Sequence, residues 1–215
     1  MELEKVMTER HSTRVFLGKP IGRETVEKLL FLSTRGPSAI NLQPWEFTVV
    51  MGEERQRLSR VLVKTMRERN VSCGPDAVRP LPEYFIDRQR KLMDYILPSL
   101  DNGTDFQDFI NEGSCNFYGA PVAIILTIDQ AFSKSRLVDV GIAVGYMVLA
   151  AHNMGLGTCP IGLVSAFDDE IREILNIPDE KNVVIGIAVG YPDPDSPINR
   201  TISERTPIHE VARFY

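Results

Sequence analysis

The sequence predicts a single α/β domain spanning residues 1–215, and three observations support this fold class. Two continuous β-branched runs, at residues 121–128 and 182–190, are typical of strands buried on both faces of a sheet. Residues 136–153, between them, are apolar on nearly all sides, which is typical of a helix in the middle of an assembly. The sequence also shows no internal repeat and no convincing linker. We therefore expect helices and a sheet around a shared core.

Composition narrows the possible classes of protein. Hydrophobic residues make up 43% of the 215 residues and charged residues 25%, as in ordinary soluble proteins. The formal net charge of −5 argues against a dedicated nucleic-acid binder. No uninterrupted apolar run of about 18 residues is present, so we expect no membrane span, and we identify no signal peptide. Three widely spaced cysteines, without a Cys-x-x-Cys pair, indicate reduced thiols, and we expect a cytoplasmic location.

The first third of the chain alternates between regular elements and one unusual loop. Apolar spacing predicts a helix over residues 23–34. The segment RGPSAINLQPW (35–45) is a loop by composition, because glycine, proline and asparagine resist regular structure. A strand over 46–51 and a helix over 53–69 follow.

The remaining elements frame an insertion-like segment at 70–118. Its proline-rich start (70–82) predicts a long connection, and two aromatic pieces, 83–98 and 105–117, have helical spacing. After the apolar helix we expect a loop at GLGTCPIG (155–162), a short helix at 168–176 and the second buried strand. The tail, 191–215, has little periodicity and is expected to wrap over the surface or over a partner.

Two glycines in the apolar helix and the three histidines are further residues whose positions are informative. Gly141 and Gly145, four residues apart, would let another backbone approach the helix closely. The three histidines are far apart, without a His-x-x-x-His pair for zinc. His152, at the end of the apolar helix, is interpreted as a satisfied core or helix-end histidine. No P-loop and no dinucleotide-binding glycine fingerprint is present.

The N-terminal segment ERHSTRVF is the first candidate binding segment. Arg10, Ser12 and Arg14 alternate, so an extended chain places two guanidiniums and a hydroxyl on one side. Such a set suits a phosphate or another delocalised anion. The alternative interpretation is a solvated cluster of charges.

Two further segments are candidates. In GPSAINLQPW, the side chains of Ser38, Asn41 and Gln43 can donate and accept hydrogen bonds, as the edge of a heteroaromatic ring requires. Ordinary turn chemistry is the alternative. In GTCPIG, glycines allow backbone N–H groups to face a ligand. The alternative there is a helix stop followed by a loop.

Taken together, these segments resemble the flavin-dependent nitroreductase family. The family has an N-terminal Arg-x-Ser-x-Arg/Lys, matched by Arg10 to Arg14, and a Pro-Ser-x-x-Asn-x-Gln-Pro-Trp segment, matched by Pro37 to Trp45. It also has a glycine loop, matched by Gly155 to Gly162, and a basic residue just ahead of a C-terminal proline, matched by Arg205. The order and spacing agree over essentially the whole chain, with residues 70–118 the weakest part.

The resemblance implies a fold and an assembly. The fold is a three-layer sandwich with helices on both sides of a mixed, mostly antiparallel sheet, and two chains form an intertwined homodimer. FMN lies at each of two interface sites. Residues 70–118 form a variable, lid-like segment over the open face of the ring.

The resemblance also implies a role for each matched residue. Arg10, Ser12 and Arg205 match positions that hold the FMN phosphate and ribityl chain, and Arg14 matches a cation beside the pyrimidine end of the ring. The remaining cofactor-binding positions lie in the same matched segments, and His11 is one of them. In the second segment, the matched residues that reach the site from the partner subunit are Pro37, Ser38, Asn41 and Gln43. In the glycine loop, the stretch that crosses the ring consists of Pro160, Ile161 and Gly162. Many relatives have Glu where Ile161 stands, which puts substrate choice in doubt.

The implied function is an FMN-dependent NAD(P)H oxidoreductase that reduces nitroaromatic, quinone or similar flat acceptors by ping-pong hydride transfer. Because the cofactor performs that chemistry, no catalytic side chain is expected. A specialised member of the fold, such as a reductive dehalogenase or a flavin-consuming enzyme, is one alternative. A flavin-binding protein without turnover is another. The choice between NADH and NADPH and the physiological acceptor stay open.

Overall fold

The structure, a computed structural model, describes residues 2–100 and 103–215. Within these ranges it contains eight α-helices: α1 (Leu3–Glu9), α2 (Arg23–Ser33), α3 (Gly52–Arg69), α4 (Glu83–Ile96), α5 (Phe106–Cys115), α6 (Leu137–Asn153), α7 (Asp168–Leu175) and α8 (Ile208–Val211). The strands there are β1 (Trp45–Met51), β2 (Val122–Asp129), β3 (Gly157–Ile161) and β4 (Lys181–Gly190).

The strands form one sheet in the order β1-β2-β4-β3, with every neighbouring pair antiparallel. The two β-branched runs occupy the central strands β2 and β4, as their continuous apolar character predicts. A parallel pairing comes from outside the strands, where Ser12 forms an isolated bridge with Thr158 of β3. The sheet is therefore mostly antiparallel with one parallel contact at the β3 edge.

Helices cover both faces of the sheet. Side chains of β2 alternate: Ala123 and Ile125 join an apolar cluster with α3 and α7, whereas Ile124 and Leu126 join a second cluster with α2 and α6. Seven of the eight β2 residues are buried, because each face meets a helical layer. The three-layer sandwich implied by the resemblance is confirmed.

The helices and strands expected from apolar spacing lie within two residues of their predicted bounds. One element was predicted wrongly: residues 157–161, inside the expected loop 155–162, form strand β3, which pairs with β4. Glycine and proline are poor strand formers, but this segment lies at the edge of a sheet, where tertiary pairing overrides propensity. The sequence pattern also did not indicate the short helix α1.

The segment 70–118 begins with an extended connection and continues through α4 and α5. Of this segment, residues 101 and 102 lie outside the described residues. Asp105 caps α5, because its carboxylate accepts hydrogen bonds from the backbone N–H groups of Gln107 and Asp108. Phe117, just beyond α5, is fully buried in the core.

Helix α6 has one buried side and one exposed apolar side. Val140, Ala143 and Met147 pack in the core between α2 and the sheet. On the other side Val138 is 65% exposed, and Gly141 and Gly145 have no neighbouring atom within 4 Å of an added Cβ. The stretch Lys134–Asn153, with a mean hydropathy of 1.2, is by length and composition alone long and apolar enough to cross a membrane. One face of the helix packs in the core, about a third of the apolar window is buried within the chain, and the opposite side is exposed.

Candidate functional site

The N-terminal segment lies against the free edge of β3. The backbone N–H of Thr13 donates to the carbonyl of Thr158 at 2.9 Å, and Ser12 forms the parallel bridge with the same residue. Farther along, the N–H of Leu17 donates to the carbonyl of Tyr191 at 2.9 Å. Two of the three candidate segments, around Arg10–Arg14 and around residues 157–162, are thereby brought together.

Gly157 makes this close approach possible. A Cβ built on Gly157 would lie 2.4 Å from Oγ1 and 2.8 Å from Cβ of Thr13, which is itself buried. No ordinary contact is that short, so the position admits only glycine while Thr13 stays in place. Gly157 thus lets the backbone of the N-terminal segment lie close to β3, whereas its sequence context predicted only a loop or ligand-facing role.

Asn199, in the C-terminal tail, holds the segment from its other side. Its Oδ1 accepts hydrogen bonds from the N–H groups of Arg14 at 2.9 Å and Val15 at 3.2 Å. Its Nδ2 donates to the carbonyls of Val15 at 2.7 Å and Asp193 at 3.0 Å. Sequence reasoning missed this residue, because three of these hydrogen bonds span 184 or 185 positions of the chain and leave no local pattern.

Arg10 and Arg205 form a pair of like charges. Burial lowers the pKa of Arg10, and the nearby positive charge of Arg205 lowers it further, while Cys159 opposes the shift. Arg205 donates to the carbonyl and hydroxyl of Ser203 at 2.7 and 2.8 Å. Across residues 2–100 and 103–215, no carboxylate forms an ion pair with either guanidinium. Asp87, Glu204 and Glu210 line the same cavity as Arg205, but none forms an ion pair with it, so the two cations are available to an anion.

Arg14 lies deeper and carries a polar atom without a partner. Its Nε is buried and has no hydrogen bond within the described part of the chain. Burial raises the pKa of Tyr118 to about 12, with Cys159 adding to the shift and Arg14 and Ser114 opposing it. A buried guanidinium N–H without an acceptor is costly, so a ligand atom is the expected acceptor.

Cys159 of β3 lies beside these cations but is not exposed to a reactant. Its side chain is only 3% exposed, and burial raises the pKa of the thiol despite the opposing effects of Arg14 and a hydrogen bond with Ser12. The thiol is therefore neutral and packs in the core. A buried neutral thiol of this kind acts as a small packing residue.

The end of β3 presents the glycine segment. Pro160 is half-buried opposite Ile187 of β4, and Ile161 is buried opposite Gly186. Gly162 follows immediately and is exposed, with open space around an added Cβ. The backbone at residue 162 is thus accessible to a ligand lying against this end of the strand.

The third candidate segment, the loop between α2 and β1, stands apart from the other two. Pro37 precedes a tight turn in which the hydroxyl of Ser38 accepts a hydrogen bond from the N–H of Gln43 at 3.0 Å, and Gln43 Nε2 donates to Asn41 Oδ1 at 3.2 Å. Throughout the described ranges, the side-chain hydrogen bonds of these three polar residues stay inside the loop. Among the described residues, no hydrogen bond joins this loop to Arg10 or Arg14.

The loop is nevertheless held in a strained and exposed shape. Ile40, Asn41 and Gln43 have left-handed φ values of 43°, 60° and 47°, and Ile40 is 91% exposed. A β-branched residue rarely adopts this conformation. The N–H of Ala39 donates to Asp139 of α6 at 3.4 Å, so the loop is anchored to that helix beside its unpartnered apolar side.

The two histidines near Arg10 differ in their bonding. His11 Nδ1 lies 3.0 Å from the carbonyl of Glu9. His152 lies in the last turn of α6, as expected, but its Nε2 is buried without a hydrogen-bond partner among the described residues. The helix-end position is confirmed, whereas the expected hydrogen bonding is not met at Nε2. His152 is half-buried, and burial together with the nearby His11 and Arg10 lowers its pKa, while Glu9 opposes the shift.

Two cavities adjoin these residues. One, of about 630 Å³, is lined by Arg14, Cys73, Pro75 and the inner side of α4. The other, of about 330 Å³, lies between α4 and the tail and includes Arg205. Arg88 and Leu92 of α4 line both, so the two cavities meet along this helix.

Comparisons with known proteins agree with this architecture. A family model described as the Nitroreductase family matches residues 7–191. The chain is 31% identical over 203 residues to the 4-nitrobenzoate reductase of Pseudomonas putida, covering 92% of this chain and 88% of that protein. It is 28% identical over 229 residues to the chloronitrobenzene nitroreductase of Comamonas testosteroni, covering 99% of this chain and 96% of that protein.

A solved structure shows the same fold. The crystal structure of the FMN-dependent nitroreductase NfnB from Mycobacterium smegmatis in complex with NADPH matches with a TM-score of 0.87 and 27% identity, covering 99% of this chain and 97% of that one. These likenesses place the chain among the oxidoreductases. Within that class it belongs to the nitroreductase family, as the four motifs predicted.

Proposed function

We propose that this protein is an FMN-dependent NAD(P)H oxidoreductase that reduces nitroaromatic, quinone or similar flat acceptors. The observation that carries the proposal is the Arg10–Arg205 pair, which has no carboxylate partner in the described ranges and lies near a buried, unpartnered N–H of Arg14. A phosphate carries close to two negative charges, so it suits the pair. The electron-rich edge of a flavin ring suits the orphaned N–H of Arg14.

The matched residues divide between the two ends of the cofactor. Arg10, Ser12 and Arg205 would hold the phosphate and ribityl chain, with His11 supporting the same turn. Arg14 would lie at the pyrimidine end of the ring. The backbone from Pro160 through Ile161 to Gly162 would cross the ring at the exposed end of β3.

The protein chain positions the flavin and polarises its ring, whereas the cofactor carries the electrons. Bound FMN supplies the chemistry by which NAD(P)H is oxidised and an acceptor reduced. The fixed charge of Arg14 favours the form of the ring that carries extra negative charge. Asn199 keeps Arg14 at its place, because three hydrogen bonds fix the backbone of Arg14 and Val15. The neutral thiol of Cys159 takes no part.

The site is completed in a homodimer. The exposed side of α6, with Gly141 and Gly145, allows a second copy to pack backbone against backbone. The strained loop lies beside that helix, so Pro37, Ser38, Asn41 and Gln43 would reach the cofactor of the partner. The same packing covers the apolar side of α6, which explains its hydropathy without a membrane.

The chain works as one unit in the cytoplasm, and residues 70–118 act as the lid over the ring. The relatives include a reductase of a carboxylated nitroaromatic, 4-nitrobenzoate, and a reductase of an uncharged one, chloronitrobenzene. Either kind of acceptor is compatible with family membership. Nitroaromatics are accordingly the first acceptors to assay.

Substitution of Arg205 tests the assignment of the phosphate site. Arg205→Ala removes one of two cations that face the anion, and a hydrogen bond to a charged group contributes about 1.5–3 kcal/mol. We expect FMN to bind about tenfold to a hundredfold more weakly, measured by fluorescence titration of apoprotein with FMN.

Arg213→Ala is the matched control, because Arg213 is an exposed arginine in the same tail. It should leave FMN affinity unchanged. Equal FMN affinity in the Arg205→Ala variant and the wild type would remove Arg205 from the site.

A further inference from the structure

The cavity beside Arg14 has a charge character that differs from the protein as a whole. The formal net charge of the chain is −5, yet the lining of this cavity contains two arginines, Arg14 and Arg88, and no Asp or Glu. Its other walls are mainly apolar, including Leu81, Phe85 and Phe106. Its volume of about 630 Å³ lies in the range of small-molecule sites. Such a cavity suits a flat apolar body with one negative group.

Arg88 is the cation available to that negative group. Its guanidinium carbon lies 5.3 Å from the ring centroids of both Tyr84 and Phe85, so the aromatic rings take its face. In the part of the chain that the structure describes, no hydrogen bond or ion pair involves this guanidinium. Stacking leaves the N–H groups in the guanidinium plane free, which is the arrangement that binds a carboxylate through two parallel hydrogen bonds.

The neighbouring arginine on the same helix shows the contrast. Arg90 forms ion pairs with Asp87 at 2.7 Å and with Glu83 at 3.6 Å, and it lines neither of the two cavities next to α4. The two acids of the first turns of α4 are therefore engaged by Arg90. Within the described residues Arg88 forms no ion pair; it faces the acid-free cavity beside Arg14 and also borders the second cavity, which Asp87, Glu204 and Glu210 line.

We infer that Arg88 is a specificity-determining residue and that the preferred acceptor is a nitroaromatic that carries a carboxylate. The inference rests on the proposed function, in which Arg14 marks the flavin end of the same cavity. The nitro group would point toward that end while the carboxylate meets Arg88. In each turnover the nitro group becomes a nitroso group as one NAD(P)H is oxidised, one proton is taken up and one water is released. The carboxylate is unchanged.

The other anion in the reaction fits this position less well. The additional phosphate of NADPH lies on its adenosine ribose, separated from the nicotinamide by two riboses and a pyrophosphate. Arg88 and Arg14 line one small cavity, so the anion that Arg88 binds lies within one small molecule of the ring. This distance suits a substituent on the acceptor.

The test compares Arg88→Gln with Arg60→Gln, a matched change at an exposed arginine of α3, in the FMN-loaded enzyme. The measured quantity is kcat/KM for 4-nitrobenzoate divided by kcat/KM for nitrobenzene, an acceptor of the same shape without the carboxylate. We expect Arg88→Gln to lower this ratio about tenfold or more, because a charge-assisted hydrogen bond is lost. Arg60→Gln should keep both the ratio and the activity of the wild type, because Arg60 lines neither cavity and holds no acid of α4.

A binding measurement separates this inference from the proposed function. Benzoate, which cannot be reduced, is titrated into wild type and both variants by calorimetry. If benzoate binds more weakly to Arg88→Gln but not to the control variant, the inference is supported, even where no acceptor is reduced. If the wild type reduces no acceptor, that result contradicts only the proposed function. An unchanged acceptor ratio and unchanged benzoate affinity in Arg88→Gln would overturn the inference. A loss confined to the KM for NADPH, with NADH unaffected, would also overturn it.

Discussion

At the scale of single residues, Gly157 is where the candidate site depends most directly on the absence of a side chain. Gly157→Ala would place a methyl group 2.4 Å from Oγ1 of the buried Thr13. Overpacking of this kind typically costs about 1–3 kcal/mol. We expect the free energy of unfolding, measured in urea, to fall by that amount. The N-terminal segment should also loosen from β3.

Gly18→Ala is the matched control for this substitution. Gly18 is exposed and has no atom within 4 Å of an added Cβ. Its replacement should be neutral or slightly stabilising, because alanine restricts the unfolded chain. Equal effects of the two substitutions would contradict the close packing described at Gly157.

His152 should give the protein a sensitivity to acid. Burial lowers its pKa, as do His11 and Arg10, while Glu9 opposes the shift. The unfolded chain binds a proton on this ring as pH falls through about 6.5, whereas the folded chain resists protonation to lower pH. Because the unfolded state then holds more protons, stability is full above about pH 6.5 and declines below it.

The expected measurement is the free energy of unfolding from pH 8 to pH 5. His152→Leu should flatten the decline below about pH 6.5, and replacement of the exposed His209 by leucine should leave it as in the wild type. If the free energy of unfolding falls below pH 6.5 as steeply in His152→Leu as in the wild type, the imidazole of His152 is not the source of the decline.

The single residues differ in how far the sequence could reveal them. Arg10, Ser12 and Arg14 were identifiable, because alternation along an extended segment is a local pattern and the structure places that segment on a sheet edge. Asn199 was not, since its role depends on hydrogen bonds to residues 185 positions earlier. Arg88 also lay outside the prediction, because only the fold shows that its neighbour Arg90 takes the acids of the helix.

At the scale of elements, α6 carries the prediction about assembly. Gly141 is exposed and has open space around it within one chain, so Gly141→Leu fits a monomer. Leucine also favours the helix by about 1 kcal/mol relative to glycine, so monomer stability should not suffer. In a dimer packed on this helix the added side chain would separate the two backbones.

We therefore expect Gly141→Leu to shift the mass measured by light scattering from two chains to one, and to lower FMN retention with it. Lys64→Leu, at an exposed position of α3, is the control that adds an equal side chain elsewhere. It should leave the mass unchanged. A Gly141→Leu protein with the wild-type mass would place any interface elsewhere.

Helices and strands were predictable from the sequence where apolar periodicity is strong. They were missed where pairing with neighbouring segments decides the structure. β2 and α6 follow directly from their sequences, because a fully buried strand and a core helix both need continuous apolar character. β3 combines Gly157 and Pro160, which individually oppose a strand, and it forms because β4 and the N-terminal segment flank it. A pattern within one segment contains no information about such partners.

At the scale of the whole molecule, the three layers bring distant parts of the chain to one edge of the sheet. The N-terminal cations, the end of β3 and the tail residues Asn199 and Arg205 meet there, and the segment 70–118 adds the cavity beside them. The loop at 37–43 stays outside this cluster in a single chain. The proposed function therefore combines a bound flavin with a second copy of the chain that brings this loop to the site.

The most direct test of the central claim is the absorbance spectrum of the purified protein, recorded before and after anaerobic addition of NADH and, separately, NADPH. The account predicts flavin absorbance bands that bleach on mixing with at least one of the two nucleotides. A protein without bound flavin that also takes none up from added FMN would contradict the proposed function and leave only the fold.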